Sequence, residues 1–453
     1  MENYQIIHLA HRFGFGISSK ELAAFKTKQT VKELLNRPLS LANKLDLNSL
    51  PFSREEIRKG NSDQRRKIAE WSRKEMTKLN VSWVKSMIKS DNPVMDKINL
   101  FWHHHFACEI KNPVFAIQYS NHIRRHAVGN FRKLLIGIAK SPAMIAYLNT
   151  RQNKKQSPNE DFARELCELF TLGIDKGYDE NDIKEIARSF TGWSHNFQGN
   201  FMFRRRQHDF GEKTIFGYKG NFGGEEVIDL ILKKKECALF IASNVFEYFV
   251  NANPDYDAIQ ELADILYESD YDLKKMFLYM LEAPWFYEDR HIMAKVKSPL
   301  EFLIGLGRLF QLESDNDLSY IVYQRIFNQT LYRPPNVAGW KVDKEWIDSN
   351  SLSLRLRIPS VVLARENLEL PLRPELDESP MMEKRKQAGM KAIQNFKADW
   401  NYFKVNNAEE DLLENLFNSK LSAIALDTIE KFKNRPFKQK VIQLLSIPEY
   451  QLC

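Results

Sequence analysis

Asn92-Pro93-Val94-Met95-Asp96-Lys97-Ile98-Asn99-Leu100-Phe101-Trp102-His103-His104-His105-Phe106 decides the fold class. Proline suits the first position of a helix, where its missing N–H would be unpaired anyway. After it, Val94, Ile98, Phe101 and His105 return at intervals that place them on one helical face. The same grammar recurs outward in both directions. Pro113 opens a second helix through residue 125, and residues 130–139 form a third. Pro158-Asn159-Glu160 opens one over 161–172, closed by Gly173, and residues 179–190 make another that ends at Gly192. Towards the N-terminus, residues 4–12 are helical up to Gly14-Phe15-Gly16, and Ser18 and Ser19 cap a following pattern that carries Glu21. Towards the C-terminus, helical spacing returns over 225–286, 299–312 and 408–448.

Two stretches break this rhythm. Residues 200–222 alternate aromatic and glycine positions, which predicts one short β-hairpin insertion at about 200–217. Residues 366–405 hold Pro371, Pro374, Pro380 and many charges, and read as a linker or arm. The expected architecture is therefore mainly α: a multi-helical single large domain over 1–365 with the hairpin inside it, the charged linker, and a small helical tail over 406–453. No repeat recurs at a fixed period.

Composition narrows the function. Among 453 residues, 66 Lys and Arg face 59 Asp and Glu, a net charge of +7 too diluted for a dedicated nucleic-acid binder. Residues 54–80 concentrate nine basic against five acidic side chains. They read as a long exposed helix with a solvated face, or more sharply as a basic surface for a polyanion. Only 18 Gly and 17 Pro argue against many-turned β folds. No apolar run is long enough to span a bilayer, which takes about 20 residues. The first residues lack a basic, then apolar, leader, so a cytoplasmic location is the simplest expectation. Cys108, Cys167, Cys237 and Cys453 lie far apart and read as reduced thiols.

Five constellations could carry chemistry. His103, His104 and His105 leave a helix about 100° apart, so at most two can face one cavity. His122 and His126, four apart, have better chelate spacing but sit beside Arg124 and Arg125. Glu160, Arg164 and Glu168 stack along one helix edge, either as a surface ladder or as a carboxylate array holding an acid or base, with Glu165 beside them. Thr191-Gly192-Trp193, followed by Arg204-Arg205-Arg206, His208-Asp209 and Lys213, fits an anion-binding wall of the main cleft. Pro334-Pro335-Asn336-Val337-Ala338-Gly339-Trp340 is a rigid turn that offers an aromatic platform. There is no GxSxG elbow, P-loop or GxGxxG after a strand, which removes α/β-hydrolase, P-loop and Rossmann readings.

Taken together, these strings resemble a bacterial family known as domain of unknown function 1800. The resembling residues are His8-Leu9, Arg12 to Gly16, Phe101 to Phe106, His126 to Phe131, Pro142 to Met144 and Pro158 to Glu160. They continue through Ala163 to Leu166, Phe170 to Gly173, Thr191 to Trp193, His208-Asp209 with Lys213, Lys297 to Pro299 and Pro334 to Trp340. The resemblance runs over about residues 5–365. It implies a mainly helical protein of a family whose members are often exported and often encoded beside a sulfatase-like partner. It carries no established activity. His11 and His103 stand where the family pattern often has other residues.

The sequence thus points to an enzyme with a His/carboxylate cleft, with metal-assisted hydrolysis of a polar or anionic substrate such as a glycan as the candidate reaction. The alternative is a non-catalytic helical scaffold or binding protein acting with the sulfatase-like partner. The catalytic candidates are His105, Glu160, Glu165, His208 and Asp209. The substrate-binding candidates are Arg164, Trp193, Arg204, Arg206, Lys213, Asn336 and Trp340. A divalent metal is the candidate cofactor, with no ligand set defined. Convergence of His105, Glu160, Arg164, His208 and Asp209 in one pocket would favour the enzyme; dispersal into satisfied pairs would favour the scaffold.

Overall fold

Asparagine caps and N1 prolines start the helices around the histidine run. Asn92 accepts from the Met95 N–H and Asn112 from the Val114 N–H, each directly before a proline. In the computed structural model the described residues are 2–28, 31–37, 39, 52, 55, 60–196, 198–365, 391–418 and 420–453. The proposed linker over 366–405 therefore lies outside them up to residue 390.

The N-terminal helices are α1 (Asn3–Arg12), α2 (Ser19–Lys28), α3 (Val31–Asn36), α4 (Ser62–Lys89), α5 (Pro93–His105), α6 (Pro113–His126), α7 (Phe131–Ala139) and α8 (Pro142–Tyr147). After α9 (Asp161–Glu165) the chain widens into a π-helical turn, Leu166–Thr171, where an α-helix was expected to continue to residue 172. Beyond α10 (Glu180–Ser189) come two hairpins where one was expected: β1 (Trp193–His195) with β2 (Phe201–Phe203), and β3 (Lys213–Ile215) with β4 (Tyr218–Gly220). Both are antiparallel, with Trp193 opposite Phe203 and Lys213 opposite Gly220. The bend between them is a single 3-10 turn, Arg205–Gln207. Arg204 and Arg206 therefore do not alternate along a strand. Helices resume with α11 (Gly224–Leu232), α12 (Lys235–Phe249), α13 (Tyr256–Glu268), α14 (Leu273–Glu282), α15 (Pro299–Phe310), α16 (Leu318–Ile326) and α17 (Ser349–Ala364). They end with α18 (Trp400–Asn406), α19 (Leu412–Phe417), α20 (Ala423–Phe432) and α21 (Phe437–Leu445).

One hydrophobic core runs from Leu9 to Tyr450 and includes side chains of the C-terminal helices. Buried polar groups tie this C-terminal region to the rest of the chain: His11 Nε2 donates to the Asn415 carbonyl at 2.9 Å, and Lys297 Nζ to the Tyr450 carbonyl at 2.8 Å. Arg355 Nε adds a bond to Gln451 Oε1 at 2.8 Å. A cation buried in an apolar frame must find acceptors, and here backbone carbonyls and amides supply them. All four cysteines are free and buried. No helix among the described residues is long and apolar enough to cross a membrane.

Candidate functional site

The three histidines at the end of α5 part company, as their angular spread requires. His103 turns inward against Trp83, with ring centroids 4.3 Å apart, and against Tyr119 and Tyr332. His104 and His105 instead line a cleft of about 500 Å³ with Glu168, Phe240, Asn244, Glu247, Tyr248 and Trp340. A smaller recess of about 20 Å³ shares His104, Tyr248 and Trp340 and adds Lys295, Ser298, Glu301 and Asp343.

Hydrogen bonding fixes the state of both rings. His105 Nε2 lies 3.1 Å from the Phe170 carbonyl. A carbonyl only accepts, so Nε2 carries the proton and Nδ1 offers a lone pair, 3.5 Å from the Asn244 amide nitrogen. His104 is the same tautomer with the other edge engaged: its Nδ1 accepts from the Trp340 N–H at 3.3 Å, which leaves Nε2–H as a donor. Burial holds His105 down at about 3, with the Phe170 carbonyl opposing and His104 adding to the effect. Burial and the nearby Lys295 hold His104 down at about 4. Both imidazoles are therefore neutral at pH 7, one presenting a donor and the other an acceptor.

The Pro334–Trp340 turn seats on His104 through a glycine. Gly339 has φ +93, and a Cβ there would lie 2.8 Å from the His104 carbonyl oxygen. Only glycine permits both the left-handed backbone and the close approach. Asn336 is exposed and shapes the turn, its Oδ1 accepting from the Ala338 N–H at 3.0 Å. Trp340, carried by the same turn, stacks on His104 at 6.3 Å.

The π-helical turn supplies the opposite wall. Thr171 Oγ1 donates to the Leu166 carbonyl at 2.5 Å, closing the widened turn. That turn presents Glu168 and Leu169 to the cleft and the Phe170 carbonyl to His105. Single π turns inside helices recur at functional sites. From α12, burial pushes the Glu247 carboxyl up, with Lys295 opposing. Lys295 is itself pushed down to about 8 by burial, and it donates to the Glu247 and Tyr248 carbonyls at 2.5 and 2.7 Å. With the histidines neutral, four acidic side chains (Glu168, Glu247, Glu301, Asp343) face three lysines (Lys176, Lys295, Lys341) in cleft and recess together.

The remaining sequence candidates do not line this cleft, although Arg164 touches its wall through Glu168. Arg164 meets Glu180 at 3.0 and 2.9 Å and Glu160 and Glu168 at 3.3 Å each, on a half-exposed edge between α9 and α10. Glu160 and Arg164 do not meet His105; of this segment only the π turn does, through the Phe170 carbonyl. Glu165 is half-buried, its carboxyl raised by burial and by Glu168. At the hairpins, His208 Nδ1 donates to the Thr191 carbonyl at 2.8 Å, and Asp209 pairs with Arg188 at 2.7 Å. Lys213 Nζ caps the Asp209 and Gly211 carbonyls at 2.7 and 3.1 Å. Trp193 is buried between Phe190 and Phe201. Arg204 is half-buried and Arg206 exposed, and neither lines the cleft. The structure thus unites His105 and Trp340, and leaves Glu160, Glu165, Arg164, Trp193, Arg204, Arg206, His208, Asp209, Lys213 and Asn336 elsewhere.

Sequence reasoning named His104 within the histidine run and Glu168 within the Arg164 ladder, but missed Asn244, Glu247, Tyr248 and Lys295 and the cleft that joins them all. A signal existed: Asn244, Glu247 and Tyr248 recur at i, i+3 and i+4 on an otherwise apolar helix. Among the described residues no group of three or more His, Cys, Asp or Glu is placed to hold a metal ion. The rings of His122 and His126 are 4.7 Å apart, but His122 Nε2 is occupied by the Leu134 carbonyl at 2.9 Å.

Fold and cleft together define a multi-helical protein with an aromatic, carboxylate-rich cleft built around two neutral imidazoles. The chain belongs to the family described as "Protein of unknown function (DUF1800)", whose model matches residues 8–452. That match continues through the C-terminal helices, past the motifs that carried the resemblance. Comparison with curated proteins and with solved structures gives no match.

Proposed function

We propose that the cleft under Trp340 binds an uncharged polyhydroxylated ligand, a glycan, and that binding is the basal activity of this chain. The observation that carries this reading is the make-up of the walls. Trp340, Tyr248 and Phe240 supply apolar faces for sugar rings. Glu168, Glu247, Asn244 and the fixed imidazoles supply acceptors and donors for hydroxyls. In the cleft itself two acidic side chains, Glu168 and Glu247, face one lysine, Lys176, which favours an uncharged ligand over an anionic one. The volume fits a small-molecule site, for which about 300–1,000 Å³ is usual.

A second reading, hydrolysis of the same ligand, is favoured by one observation: Glu247 faces the cleft with its carboxyl raised by burial. A carboxyl that burial makes hold its proton more tightly can protonate a leaving oxygen, and Glu168 would act as the paired carboxylate. His105 is a poor base at about 3 and serves as a fixed acceptor instead. The same reading assigns Glu160, Arg164, His208 and Asp209 to supporting ion pairs and turns.

Titration of tryptophan fluorescence with a panel of neutral and sulfated oligosaccharides tests both. Saturable change with neutral members, lost in Trp340→Ala, is expected. If Glu247→Gln still binds but no longer releases reducing ends, hydrolysis stands; if neither form releases any, the chain only binds. Saturation by sulfated members alone would sink the uncharged-ligand reading.

A further inference from the structure

A second groove of the molecule has the opposite electrostatic character. This groove of about 620 Å³ between α4 and α16 is also lined by the loops at 110–112 and 330–333, which join through the Ile110 N–H to Tyr332 carbonyl bond at 2.9 Å. Its floor is aliphatic: Met76, Ile110, Ile321 and Leu331. Its rim carries Arg73, Lys111, Arg325 and Arg333, all exposed, with no acidic side chain in the lining. Glu109 next to the groove pairs with Lys111 at 2.9 Å and reaches Arg333 only at 3.9 Å. Arg73 and Arg325 have no ion-pair partner among the described residues.

The floor is held rigid from beneath. Asn80 and Gln324 exchange amide hydrogen bonds at 2.9 and 2.6 Å. Gln324 Oε1 also accepts from the Leu331 N–H at 3.0 Å, and Asn80 Nδ2 donates to the Leu331 carbonyl at 3.2 Å. A reciprocal buried amide pair of this kind fixes both walls relative to the loop between them. The groove is therefore preformed, which lowers the entropic cost of binding.

We propose that this groove is a docking site for an acidic peptide segment of a partner protein, one in which aliphatic and carboxylate side chains alternate. Charge and length select this occupant. The α4 residues lining the groove run from Ala69 to Asn80, which is about 16 Å along a helix axis at the usual rise per residue. An extended peptide covers that distance with about five residues, whose side chains alternate between floor and rim. Four cations spread along both walls match several separated carboxylates better than one anionic headgroup. No aromatic side chain lines the groove, so neither bases nor sugar rings find a stacking surface there. The basic run noted at residues 54–80 thus has a specific target in its Arg73 end.

The test uses the full chain and a fluorescein-labelled synthetic peptide of alternating Leu and Glu, followed by anisotropy. Saturable binding is expected, weakening as salt rises because the rim charges are screened. Arg73→Glu with Arg325→Glu should weaken it by at least about tenfold. Thr77→Trp fills the groove without changing charge and should weaken it comparably. All three positions are at the surface, so unchanged thermal unfolding certifies the fold. Equal binding by a Ser/Glu peptide, heparin or a single-stranded oligonucleotide would show a mere polyanion patch and overturn the proposal. So would unaltered binding in the variants, or no saturable binding of the Leu/Glu peptide.

Discussion

Gly339 shows how much of the cleft rests on one residue. Its φ of +93 and the 2.8 Å gap to the His104 carbonyl leave no room for a side chain. Gly339→Ala should cost about 1–3 kcal/mol, since both backbone strain and a backbone clash must be relieved. Because relief means lifting Trp340 away from His104, the oligosaccharide titration should weaken by more than the loss of stability alone accounts for. Denaturant unfolding together with that titration checks it; an alanine variant with native stability and affinity would contradict the role given to this turn. At this scale the sequence was partly legible. His105 and Trp340 were identified because rare residue types stand out in an apolar frame. His104 was passed over because angular spread says how many histidines can share a cavity, not which. Arg164, His208 and Asp209 looked chemical for the same reason that they are structural: a charged side chain inside a fold needs a partner, and Glu180, Thr191 and Arg188 are too distant in sequence to be read as those partners.

The element that most shapes the site is the π turn at Leu166–Thr171. The apolar stripe of Phe162, Leu166, Leu169 and Phe170 reads as plain α-helix, and nothing in its spacing reports the extra residue in the turn. The cause is tertiary: the widened turn lets the Phe170 carbonyl meet His105 and the Thr171 hydroxyl close back on Leu166. Thr171→Val keeps the shape and removes only that hydroxyl. It leaves a buried carbonyl short of a partner, so stability should fall by about 1–3 kcal/mol. Ligand affinity should fall with it, because Glu168 sits on the same turn. Native affinity in a destabilised Thr171→Val protein would mean that the turn holds the core but not the cleft. The start of the long basic helix was obscured for a different reason. Its first half is exposed and obeys only local capping by Asn61, whereas from Asn80 onward burial governs it.

Across the whole molecule the histidines act in concert. All ten are held below their ordinary value, in each case chiefly by burial. His11 and His105 lie at about 3, and His104, His122 and His291 at about 4. The unfolded chain would protonate the same rings near 6.5. Between those values the unfolded state binds more protons than the folded one, so stability is full above pH 6.5 and drains away as pH falls towards 4. Each ring that stays neutral only in the fold steepens the loss by about 1.4 kcal/mol per pH unit. Asp96, its carboxyl pushed up to about 6 by burial, works the other way, as do the raised carboxyls of Glu165 and Glu247, but these are few against the ten histidines. The protein should therefore lose stability on mild acidification, well before ordinary carboxylates titrate. The hydrophobic pattern made the mainly helical core readable, but not this property, since a histidine on an apolar face gives no sign of its proton. Denaturant midpoints measured at pH 7.5, 6.5, 5.5 and 4.5 should be level at first and then drop steeply. His105→Gln, which retains an amide donor for the Phe170 carbonyl without a titratable ring, should flatten part of that slope. A midpoint that holds or rises down to pH 4.5 would show that the rings find charge partners as they protonate, and the neutral-imidazole account of the cleft would fail with it.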